Sequence, residues 1–95
     1  MALADRYNLE DLVNEAERLV LDELDRQLDA RGDEDLEEDL ILDMAAYALN
    51  HVTPLYRVNL LGRLYAQNVP EEYRREVAEA VEAAVSKVLS EPSQS

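Results

Sequence analysis

The stretch LEEDLILDMAAYALNHVTPLY, residues 36 to 56, decides the fold. Leu36, Leu40, Met44, Tyr47 and Ala48 recur at the three- and four-residue spacing of one helical stripe, and Ile41, Ala45, Leu49 and Val52 lie beside it. The later half is apolar nearly all round, which places such a helix at the centre of the fold or at a subunit interface. Pro54 stops it, because a residue before proline, here Thr53, is pushed out of helical dihedrals. From Pro54 to Asn59 the alternation of Leu55, Tyr56, Arg57 and Val58 reads as an extended stretch, and Gly62 punctuates the chain three residues beyond it.

Upstream, Asn8 is a helix cap with Asp11 three residues on, and Leu9, Leu12, Val13, Ala16, Leu19, Val20 and Leu24 continue at helical spacing to about Leu28. The other face, with Glu15, Arg18, Asp22 and Arg26 among its residues, is a solvated one with some opposite-charge pairs. Gly32 is placed to close this helix, and Asp33 to Asp35 can start the next. Downstream, Asn68, Val69 and Pro70 open a third helix, with Glu71 and Glu72 favourable to its dipole. Tyr73, Val77, Ala80, Val81, Ala84 and Val88 carry it to Leu89 or Ser90. Residues 91–95 read as a disordered tail after a single domain spanning 1–90.

The composition agrees with this pattern. The chain has 95 residues, 47% of them hydrophobic, and its five aromatic residues are all tyrosine, so the core is built from Leu, Val and Ala. Two Gly and three Pro leave little material for the turns of a many-stranded sheet. The expected class is all-α, mainly helical, with three main helices and a short extended or irregular segment around 54–66. Residues 1–9 lack a basic region followed by an apolar run, and no segment approaches the ~20 apolar residues that span a bilayer. A soluble cytoplasmic protein is the expectation.

Twenty-two acidic against nine basic side chains give a net charge of −13, which repels DNA, RNA and anionic lipid. Residues 44 to 70 nevertheless contain no Asp or Glu, while carrying His51, Arg57 and Arg63. This island is either the buried middle of the fold or an acceptor for a small anion. With no cysteine and a lone histidine, no zinc site is expected, and His51 fits a polar contact at a helix end. No Ser/His/Asp arrangement or glycine-rich phosphate loop is present, so no catalytic residue is assigned and the protein is not expected to be an enzyme. Tyr56, Arg57, Arg63 and Tyr65 suit a nucleotide, since Arg bonds guanine edges or phosphate and both residue types stack on purines. The alternative is that the tyrosines are core or interface residues and the arginines reach acidic faces of neighbouring helices.

The segment from Leu42 to Tyr56 resembles the central signature of ComFB-type late competence proteins, approximately D-x-x-A-x-A-L-N-x-x-P-P-x-Y. Asp43, Ala46, Ala48, Leu49, Asn50, Pro54 and Tyr56 fit it, and Thr53 replaces the usual first proline. The opening at Asn8 to Val13, the piece from Gly62 to Ala66 and the closing helix are also similar. The resemblance implies a small, mainly helical homodimer, intertwined or side by side. Several members bind zinc through cysteines just before the central Asp; here Asp33 to Leu42 offers only acidic and aliphatic residues, so packing of Leu36, Leu40 and Ile41 replaces the metal and no cofactor is expected. Other members are cyclic di-GMP receptors that influence competence, pili and motility. The resemblance therefore implies cyclic di-GMP as ligand and an unidentified protein partner. An isologous dimer presents each Arg and Tyr twice to that two-fold symmetric dianion. Under it Arg57 and Arg63 contact guanine or phosphate, Tyr56 and Tyr65 stack, and Asn50 or His51 supplies polar contacts.

Overall fold

A computed structural model describes residues 2–33, 35–58 and 69–90. Its elements are a single helical turn α1 (Leu3–Arg6), a 3₁₀ turn (Leu9–Asp11), strand β1 (Leu12–Asn14), helices α2 (Glu15–Arg31) and α3 (Glu38–Leu49), strand β2 (Tyr56–Val58) and helix α4 (Glu71–Leu89). The three long helices pack on one another and the two short strands form a ribbon at one side, so the mainly helical expectation holds.

The first long helix begins later than its periodicity predicts. Asn8 does cap, its Oδ1 accepting from the Glu10 N–H at 3.1 Å, but the turn it caps is three residues of 3₁₀ helix. The chain then extends through β1, and the true cap of α2 is Asn14, whose Oδ1 accepts from the Ala16 N–H at 3.1 Å. The same oxygen accepts from the Leu55 N–H at 2.9 Å, and the Glu15 N–H donates to the Leu55 carbonyl at 2.7 Å. Of two possible caps, the one with tertiary partners prevails over local spacing. As a result Leu9 and Leu12, expected on the apolar stripe, stand exposed.

From Glu15 onward the pattern holds. Ala16, Leu19, Val20, Leu24 and Leu28 are buried, and the outer face carries Arg18 paired with Glu15 and Asp22, and Arg26 with Glu23. Such surface pairs are screened by solvent and add little to stability. Gly32 closes the helix at φ 79°, donating to Asp29, while the Asp33 N–H reaches back to the Leu28 carbonyl at 2.9 Å. This six-to-one bond and the Arg31–Asp33 ion pair at 2.8 Å commit Asp33 to ending α2. Helix α3 therefore starts at Glu38 and not at residues 33–35.

Helix α3 buries Met44 and Ala48 completely. Leu36, Leu40 and Ile41, expected to pack just before the central Asp43, are half-buried against the edge of the core. The helix ends at Leu49 with Asn50 as cap, short of Thr53, so Pro54 is not its immediate stop. Helix α4 follows Pro70 and buries Val77, Ala80, Val81, Ala84, Val85 and Val88, small side chains that let it lie close against both α2 and α3. Gln27 ties the first of these contacts by donating to the Ala78 carbonyl at 3.1 Å. The core formed by the three helices contains no buried polar side chain among the described residues. None of the described helices is long and apolar enough to cross a membrane. The tail at 91–95, the helix-opening Asn68 and residues 59–66 of the expected irregular segment lie outside the described residues.

Candidate functional site

Of the candidate residues, Asn50 and His51 fall on the connection from α3 to β2 and Tyr56 and Arg57 on β2 itself, and hydrogen bonds from both sides fix the backbone of the connection. At the end of α3 the His51 ring stacks on Tyr47, with centroids 4.2 Å apart and planes 16° from parallel. Its Nδ1–H donates to the Tyr47 carbonyl at 2.7 Å, satisfying one of the acceptors that a helix end leaves without an intrahelical partner. His51 thus has the helix-terminal polar contact expected of it. Asn50 beside it caps the helix through its own N–H, bonded to the Ala46 carbonyl at 3.0 Å, and its side chain is exposed.

Two residues further on, the Thr53 N–H donates to a Glu76 carboxylate oxygen, and the Tyr73 hydroxyl donates to the Thr53 carbonyl at 2.5 Å. Both partners come from the first turns of α4. Leu55 is held in the same two-handed way from the opposite side, by Asn14 and the Glu15 N–H. Four backbone groups of the 53–55 segment are therefore bound, two by α4 and two by the start of α2. Burial, reinforced by the charge of Glu76, raises the pKa of the Tyr73 phenol and keeps it a donor at neutral pH.

Strand β2 leaves this clamp and pairs antiparallel with β1, Leu12 opposite Val58, Val13 opposite Arg57 and Asn14 opposite Tyr56. Alternation along a strand sends Tyr56 and Arg57 to opposite faces of the ribbon. Tyr56 is 62% exposed on the face it shares with Leu12, whereas Arg57 is half-buried on the face it shares with Val13. Tyr56 is thus not a core residue of the protomer. Arg63 and Tyr65 lie outside the described residues.

In space the island is not wholly free of acid, because Glu76 reaches it from α4. Asn14, Tyr73 and Glu76, which set the backbone of the candidate segment, are not singled out by the sequence for that role. Asn14 carries a usable signal, an Asn directly before an acidic, apolar-periodic run. A concavity of about 410 Å³ between α2 and α4 is lined by Arg18, Asp22, Glu23, Arg26, Arg74 and apolar neighbours, and by none of the candidate residues. Its arginines 18 and 26 are engaged with their own helix's carboxylates. Among the described residues no three His, Cys, Asp or Glu side chains gather at metal-binding distance.

Compared with known proteins, the family model described as late competence development protein ComFB matches residues 13–92. No curated protein and no solved structure matches the chain.

Proposed function

Because the chain belongs to the ComFB family of late competence development proteins, we propose that it is a non-enzymatic signalling protein that binds cyclic di-GMP as a homodimer and relays it to a protein partner controlling competence, pili or motility. The observation that carries this reading is an exposed Tyr56 beside Arg57 on a short ribbon whose approach is clamped at Thr53 and Leu55, within a stretch that itself has no carboxylate. A phenol carried on a fixed backbone stacks on a purine at a reduced entropic cost. Tyr56 is accordingly the stacking residue and Arg57 the bonding one, approached from the ribbon's other face; Asn50 supplies an exposed amide, and Arg63 and Tyr65 complete the set.

The dimer reading is supported by α3. Leu42 is 57% exposed, Ala46 is exposed, and Ala45 and Leu49 are only half-buried, so an apolar stripe at helical spacing faces outward from the monomer. A two-fold axis through that stripe presents each candidate side chain twice, matching the symmetry of the ligand. Calorimetric titration with cyclic di-GMP, with GTP and cyclic di-AMP as controls, tests the reading. Selective saturable heat, lost in Tyr56→Ala and Arg57→Ala variants that keep wild-type helicity, is the expected result; no heat from the folded wild-type protein refutes it. The half-burial of Arg57 and the engagement of His51 with Tyr47 favour a second reading, a ligand-free dimeric interaction module, which that negative result would leave in place.

A further inference from the structure

Residues 2–12 contribute nothing to the core. Every described residue from Ala2 to Leu12 is exposed, and α1 buries no side chain. Yet this arm carries Leu3, Tyr7, Leu9 and Leu12, at 58, 54, 47 and 56% exposure, four of the seven large apolar side chains that the described residues leave in water. The match to the family model begins at residue 13, where the arm ends. The arm is structured and not merely trailing: Asn8 caps its 3₁₀ turn, and Ala4, Tyr7, Asn8, Leu9 and Glu10 border one shallow, open depression. Tyr7 and Leu9 border the same depression, and exposed apolar side chains concentrated in this way mark an interaction site.

Charge selects the occupant. Asp5, Glu10 and Asp11 are interleaved with the apolar side chains, against Arg6 alone, and the body behind the arm bears most of a net −13. A second copy, nucleic acid and anionic lipid are all repelled by such a surface. The homodimer proposed above uses instead the outward stripe of α3, whose later half is uncharged from Met44 onward. We propose that the N-terminal arm is the docking site for a cationic amphipathic segment of a partner protein, whose apolar side chains cover Leu3, Tyr7, Leu9 and Leu12 while its Lys and Arg meet Asp5, Glu10 and Asp11. Complementary charge brings the segment in, and burial of the four apolar side chains holds it. The inference fills the partner role in the function proposed above, but the docking surface does not depend on nucleotide.

The test is made on the full chain without nucleotide, so that its outcome is independent of whether cyclic di-GMP binds. Two synthetic peptides serve as probes: an amphipathic Leu/Lys helix, and a Ser/Lys peptide of the same length and charge. Binding is followed by amide chemical shifts, with L3S/Y7S/L9S/L12S as the variant and circular dichroism verifying its fold. The Leu/Lys helix is expected to shift the resonances of residues 3–12 and to bind the variant roughly tenfold or more weakly, a loss of at least about 1.4 kcal/mol. The Ser/Lys peptide, held by charge alone, should bind both proteins equally. A charge-reduced D5N/E10Q/D11N protein should lose affinity for both peptides and serves as the second variant. Equal binding of the Leu/Lys helix to wild type and apolar variant, or shifts confined to α2 and α4, would overturn the proposal. So would a dimer mass that falls to the monomer's in the L3S/Y7S/L9S/L12S variant, since a second copy would then occupy the arm.

Discussion

Replacing Asn14 by alanine tests how the ribbon and the helices are joined. One oxygen, Asn14 Oδ1, accepts from the Ala16 N–H at 3.1 Å and from the Leu55 N–H at 2.9 Å, and both bonds are partly buried. Losing the cap of α2 costs about 1 kcal/mol. Leaving the Leu55 N–H without an acceptor in a half-buried place costs about 1–2 kcal/mol more. The sum, about 2–3 kcal/mol, is a large fraction of the stability of a small domain and corresponds to a fall in Tm of roughly 10–20 °C. Urea denaturation followed by far-ultraviolet circular dichroism reads the loss directly. Two companion variants separate the causes. Asn14→Asp keeps an acceptor at the same place and adds a charge favourable at a helix N-terminus, so it should stay within about 0.5 kcal/mol of wild type. Asn8→Ala removes a cap of the same kind from an exposed 3₁₀ turn that supports nothing else, and should also cost less than about 0.5 kcal/mol. The reasoning fails if Asn14→Ala is as stable as Asn8→Ala, or if Asn14→Asp loses as much as Asn14→Ala.

Glu76→Ala together with Tyr73→Phe removes the α4 side of the clamp on Thr53; amide hydrogen exchange at Tyr56 to Val58 should accelerate while the amides of α2 keep their protection. Gly32→Ala places a Cβ at φ 79° with no atom within 4 Å, so its cost of about 1 kcal/mol is backbone strain alone, and Gly32→Asn should recover part of it in the same denaturation assay. Glu23 has its pKa lowered by the hydrogen bond from Arg26, helped by Gln27, against a smaller opposing effect of burial. Its contribution is therefore complete above the ordinary glutamate pKa and lost as pH falls below about 4.5 through the lowered folded value; urea midpoints measured across that window should fall less steeply for Glu23→Gln than for wild type.

The three long helices are legible in the sequence because each repeats Leu, Val or Ala at helical spacing for three turns or more, and their ends are legible where one residue type has a single use. Gly32 is such a residue, since only the left-handed closure of α2 requires it. The start of α2 is not, because Asn8 and Asn14 both qualify as caps and the choice depends on Leu55, 41 residues from Asn14. The start of α3 escapes for a related reason: Asp33 has the chemistry to open a helix but is already committed to closing the preceding one. At the candidate site, the extended stretch at Tyr56 and Arg57 comes from alternation and Pro54. Alternation also implies that these two side chains face opposite ways, which becomes informative only once β1 supplies the second strand. The clamp on Thr53 is invisible in the sequence, since it holds backbone groups and its side-chain partners lie 20 and 23 residues away on the next helix.

The nucleotide reading is tested most directly by measuring mass and stoichiometry together, by light scattering and calorimetry on one sample with cyclic di-GMP added in steps. A dimer mass at saturation with one ligand bound per dimer is the predicted result. A monomer that takes up one ligand per chain, or a dimer whose titration gives no heat, would contradict it.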